Sequence, residues 1–152
     1  MDVMILLKYF FWAVCVLCLV VALCFGERDE RRGMIIITIG SIATAIVVVV
    51  ANRNFENISG WFLVVDLCVL GAFVKLLFDS RKYWPIWVGS LQLICVVIHL
   101  LDLVVPKTLP AAYIMLQGFW AYPMFFAIMM GTYGSCVALK RKRMDRILPS
   151  KS

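Results

Sequence analysis

The sequence predicts an all-α fold: a polytopic helical bundle of five transmembrane helices, amino terminus outside and carboxyl terminus cytoplasmic. Three observations predict it. Of 152 residues, 64% are hydrophobic and the mean hydropathy is +0.96, against about 45–50% apolar for a soluble domain. Five apolar stretches of roughly 18 to 27 residues carry few charges, and each is long enough to cross the hydrocarbon core. The basic residues collect in alternate gaps between those stretches. Lipid must therefore cover most of the surface, and only short loops and one basic tail remain outside it.

The first span runs from about residue 4 to 25. Its n-region Met1-Asp2-Val3 is acidic and no small-x-small cleavage site follows, so it is expected to be retained. Gly26-Glu27-Arg28-Asp29-Glu30-Arg31-Arg32-Gly33 holds six charges and is expected to end it as a wet linker. The second span covers about 34–51. It is rich in Ile and Val, yet in lipid the backbone must pair with itself and helix wins over β-propensity. The third span covers about 58–78, with Asp66 and Lys75 inside it. A basic turn, Asp79-Ser80-Arg81-Lys82, leads to Tyr83 and Trp84, expected in an interfacial aromatic belt. Pro85 suits the first turn of the fourth span, about 85–105. After Pro106-Lys107-Thr108-Leu109-Pro110, the fifth span covers about 111–139, and Pro123 midway predicts a kink or tilt. Residues 140–152 form a basic tail.

Charge placement sets the orientation. Arg28, Arg31, Arg32, Lys75, Arg81, Lys82, Lys140, Arg141, Lys142, Arg143, Arg146 and Lys151 flank the connections after spans one, three and five. Only Lys8, Arg53 and Lys107 lie on the other side. In loops this short the basic-rich side is cytoplasmic. The same rule accounts for the net charge of +6 without nucleic acid as a partner. The expected partners are the bilayer, anionic lipid headgroups at the tail, and another membrane protein or a second copy. Gly40 and Thr44, Ser41 and Ala45, Gly131 and Ser135, and Gly134 and Ala138 form small-x-x-x-small pairs that allow close helix approach within or between bundles.

The chemistry-bearing candidates are polar residues inside spans. Asp66 stands eight residues from the outer end of the third span, about 12 Å deep at 1.5 Å per residue. Gln92, Cys95, His99 and Asp102 are spaced 3, 4 and 3 apart and share one face of the fourth span. Asp66 and His99 therefore reach similar depth. Gln117 and Tyr113 on the fifth span start from the same side. Ionisable residues at such depth point to function with a named partner. Two readings stand: a proton, cation or small-molecule site, such as one for a quinone, built on Asp66, His99, Asp102, Gln92 and Gln117; or a hydrogen-bonded clamp between helices.

No cofactor and no metal are expected. A single histidine cannot supply both axial ligands of a haem within one chain, and no metal-ligand spacing, phosphate loop or hydrolase motif is present. Cys15, Cys18, Cys24, Cys68, Cys95 and Cys136 lie in or at the ends of apolar stretches and read as reduced packing residues, the Cys15-x-x-Cys18 spacing included. Asn57-Ile58-Ser59 is a formal glycan acceptor too close to the membrane to be used.

Tyr83-Trp84-Pro85-Ile86-Trp87, Gln92, His99, Ala112-Tyr113, Gln117 and Trp120-Ala121-Tyr122-Pro123 together resemble a group of short alphaproteobacterial membrane proteins, over about residues 61–132. The resemblance implies a bacterial inner-membrane location and carries no activity. The leading expectation is a non-enzymatic accessory or structural membrane component. A small oligomeric channel or proton-coupled transporter using the Asp/His site is the alternative, and a redox or lipid-substrate enzyme subunit is a third.

Overall fold

The computed structural model describes the backbone of residues 3–54, 58–104 and 119–147, and the side chains of 5–50, 60–101 and 119–144. Within these limits the chain is all helix: α1 (Val3–Phe25), α2 (Arg28–Asn54), α3 (Ile58–Asp79), α4 (Trp84–Val104) and α5 (Ala121–Ile147). All five helices are long and apolar enough to cross a membrane. Each sequence neighbour packs on the next, α5 closes the ring against α1, and α2 and α5 touch across it. No more than 33% of any span is buried within the bundle. The outward remainder is apolar, with Phe10, Leu17, Ile39, Val49 and Phe126 all exposed, which is the surface lipid must cover.

The dry core gathers in one half of the bundle. It consists of Cys15, Cys18 and Ala22 from α1, Met34 and Ile37 from α2, Phe73 and Leu76 from α3, Trp84 and Val88 from α4, and Met124, Phe125 and Ile128 from α5. This half adjoins the α1–α2 and α3–α4 connections. Phe11, Tyr122 and Phe125 extend the contact between α1 and α5 through ring centroids 5.9 to 6.5 Å apart.

Several expectations are corrected. The charged stretch at 26–33 is not a loop, because α2 begins at Arg28. Glu27 caps it: the Glu30 carboxylate reaches back to accept the Glu27 N–H at 3.0 Å, half of a capping box. Asp29 and Glu30 also place negative charge in the first turn, where the helix dipole favours it. Trp84 is not in an exposed belt; it is 7% exposed, whereas Tyr83 and Trp87 do face outward. Pro123 lies in the first turn of α5, after a turn at Trp120, so it needs no kink there. The basic stretch from Lys140 continues as α5 to Ile147. Cys15 and Cys18 are buried as free thiols, whereas Cys24 and Cys68 face outward. Pro85 stands in the first turn of α4 as its missing N–H suggests.

Candidate functional site

Antiparallel packing of α3 on α4 brings Asp66, Gln92 and His99 together. Gln92 and His99 are seven residues apart, two turns along one face of α4, and Asp66 sits between them. The Gln92 amide donates to Asp66 Oδ1 at 3.0 Å and lies 3.3 Å from the Asp66 carbonyl oxygen. His99 Nε2 lies 2.9 Å from Asp66 Oδ2, a contact that requires a proton between them. The imidazole is 2% exposed and the carboxylate 19%. Phe62 covers the imidazole at a centroid distance of 5.8 Å. Both carboxylate oxygens are thus held from one helix face, and the aspartate rotamer is locked.

This aspartate is more than a strut between two helices. Asp66 and Gln92 line a cavity of about 300 Å³ at the middle of the ring. Every helix contributes to its wall: Phe11 from α1, Gly40, Ser41 and Thr44 from α2, Asp66 and Val69 from α3, Gln92 and Cys95 from α4, and Ala121 and Met124 from α5. Its polar side is made by α2, α3 and α4, its apolar side by α1 and α5. The volume sits at the lower end of the range for small-ligand pockets. Two further sequence candidates are not among the described side chains. Asp102 belongs to α4, but its side chain lies outside the described residues, and so does Gln117 together with Tyr113. Among the described residues no three His, Cys, Asp or Glu side chains converge as a metal site would require.

A second buried polar cluster lies at the opposite end of α4. Glu30 is 0% exposed. Its Oε1 accepts from Lys82 Nζ at 2.7 Å, from Trp84 Nε1 at 3.1 Å and from Ser135 Oγ at 3.2 Å. The Ser135 proton also faces the Gly131 carbonyl at 3.1 Å, so it serves one acceptor at a time. Lys82 spends its remaining donors on Glu27 at 2.7 Å and Ser135 at 2.8 Å. Burial by itself lowers the affinity of the Lys82 ammonium for its proton, but the hydrogen bonds to Glu27 and Glu30 outweigh it, and the pKa stands above its ordinary value. Ser80 adds a 2.8 Å bond to Asp29. The connections after α1 and α3 are thereby fastened to each other and to α5 at one end of the bundle.

No family model, curated protein or solved structure matches this chain. The site must therefore be read from its own geometry. Sequence inspection singled out Asp66, Gln92 and His99 because each interrupts an apolar run. It passed over Glu30, which stands among five other charges. The one available signal was Glu30 three residues after Glu27, the acceptor half of a capping box.

Proposed function

We propose that the protein is a non-enzymatic multi-pass protein of the bacterial inner membrane, amino terminus outside, that exchanges a proton for a small cation at Asp66. One observation carries this reading: a carboxylate held at both oxygens lines a cavity built by all five helices. With His99 neutral, the Asp66–His99 pair presents one net negative charge to that cavity. With His99 protonated, the pair is neutral. A cation in the cavity favours the first state and a proton favours the second, so the two ligands oppose each other by linkage. Ser41 and Thr44 of α2 line the same cavity, and a hydroxyl is a neutral oxygen ligand of the kind a hard cation takes. Cys95 is the remaining titratable side chain that lines the cavity among the described residues. The basic connections after α1, α3 and α5 support the orientation, and the resemblance over 61–132 supports the bacterial inner membrane.

The test is exchange in sealed proteoliposomes carrying a lumenal pH dye. External Na⁺ or K⁺ should raise lumenal pH with the wild type. Asp66→Asn should abolish the response, His99→Gln should slow it, and Asp79→Asn should leave it unchanged, since Asp79 is exposed at the end of α3. An Asp66→Asn response equal to wild type overturns the reading, and so does a wild-type response no larger than that of empty vesicles.

A second reading is favoured by a separate observation: the Gln92 and His99 bonds both join α3 to α4. A pure clamp between these helices predicts no cation response in any variant, together with a lower thermal midpoint in detergent for Asp66→Asn and His99→Gln.

A further inference from the structure

A second cavity is larger than the one beside Asp66. A groove of about 920 Å³ runs between α4 and α5 and opens sideways. From Pro123 to Lys142 its α5 wall extends 19 residues, about 28 Å at 1.5 Å per residue, close to the thickness of the hydrocarbon core. Small side chains explain why the space exists: Ala127, Gly131, Gly134 and Ala138 fall on one face of α5, the Trp84 indole lies over Gly131, and the space above Gly134 is open. Trp87, Phe126 and Met130 stand up along the sides, each more than half exposed. The groove thus has an apolar trunk open to the region that lipid occupies.

Its mouth has the opposite character. Arg81, Lys82 and Lys142 line it, with Glu27 as the one acid. Lys82 is consumed by Glu27 and Glu30. Arg81 and Lys142 form no ion pair among the described residues and are exposed. Two cations are left at the end of an apolar slot, at the end of the bundle where α3 meets α4 and α5 runs on beyond the core. Tyr83, 82% exposed beside them, supplies the amphipathic ring that suits the headgroup level.

We propose that this groove is a binding site for an anionic glycerophospholipid, with its phosphate between Arg81 and Lys142 and an acyl chain along the α5 floor. Basic pockets between transmembrane helices on the cytoplasmic side take such headgroups. A transmembrane helix of a second copy fits the groove less well. Trp84 already occupies the close-approach position at Gly131 that a second helix would use. A symmetric pairing at this groove also sets Arg81 and Lys142 of one copy against the same cations of the other.

Brominated lipids test the proposal in nanodiscs, because bromine on a chain quenches nearby tryptophan. Brominated phosphatidylglycerol in a phosphatidylcholine background should quench Trp87 at far lower mole fraction than brominated phosphatidylcholine does. The Trp87 signal is the difference between wild type and Trp87→Phe. Arg81→Gln with Lys142→Gln should erase that preference, a loss of up to about thirtyfold for two cations near the surface. Arg141→Gln with Arg143→Gln removes the same charge from the same helix end outside the groove, and should retain the preference. Equal quenching by the two lipids in the wild type overturns the proposal. So does equal loss in both double variants, which would reduce the effect to general surface attraction. Cross-linking of Phe126→Cys between copies in place of lipid quenching would also overturn it and assign the groove to a dimer.

Discussion

Asp66 and Glu30 carry the same functional group into apolar surroundings and meet different partners there. Asp66 is held by an amide and an imidazole beside open space; Glu30 is held by an ammonium, an indole, a hydroxyl and a backbone N–H with no exposure at all. Removing the cation from the second cluster leaves an uncompensated buried charge. Lys82→Met is expected to destabilise the protein by about 3 kcal/mol in detergent unfolding, the low end for breaking a buried pair, because Lys82 retains 26% side-chain exposure. Adding Glu30→Gln should recover part of that loss. The same cluster gives a pH signature. A lysine whose folded pKa is raised contributes stability that is complete below its unfolded value, 10.5, and is lost as pH rises through the folded value. The thermal midpoint should therefore fall above about pH 10.5 more steeply in wild type than in Lys82→Met. Asp66, Gln92 and His99 were legible in the sequence because a polar residue stands out in an apolar run. Glu30 was not, because among charged neighbours a buried carboxylate looks the same as a wet one.

The helices were legible for the reason that lipid leaves the backbone no alternative partner, and their ends were legible only where composition changes abruptly. The boundaries at Phe25, Asp79 and Trp84 follow apolar-to-polar transitions. The start of α2 does not, since capping by Glu27 and Glu30 carries helix six residues into the charged stretch beyond the expected start at Met34. Trp84 shows a similar limit. Its indole is inserted between two helices at glycines: a Cβ on Gly33 would meet its ring at 2.5 Å and one on Gly131 at 2.6 Å. The small-x-x-x-small pattern flagged Gly131 and Gly134 alike, yet only Gly131 is under the indole; a Cβ on Gly134 meets nothing within 4 Å. Gly131→Ala should cost about 1–3 kcal/mol through overpacking, and Gly134→Ala should be neutral or slightly stabilising through helix propensity. Urea or SDS unfolding of the pair against wild type measures the difference. Equal effects would mean that the indole moves aside.

At the scale of the whole molecule, the alternation of basic connections predicts a single orientation. A periplasm-active reporter fused after Asn54 should be active and one fused after Ser152 silent. Replacing Lys140, Arg141, Lys142 and Arg143 by Gln should produce a mixed population. A carboxyl-terminal fusion active only outside the cell would invert the topology. The fastening at the basic end also imposes an order in time. Glu30 is 52 residues ahead of Lys82 and 105 ahead of Ser135. A ribosome therefore delivers the carboxylate long before its counter-ion, and the hydroxyl last of all. Until Lys82, Trp84 and Ser135 have been made, Glu30 lacks the partners that satisfy its carboxylate in the folded protein, and burying it unpaired is costly. Chains halted after Asp79 should turn over rapidly in pulse-chase labelling. Chains halted after Ile147 should persist as long as the full protein, because the last partner has then been made.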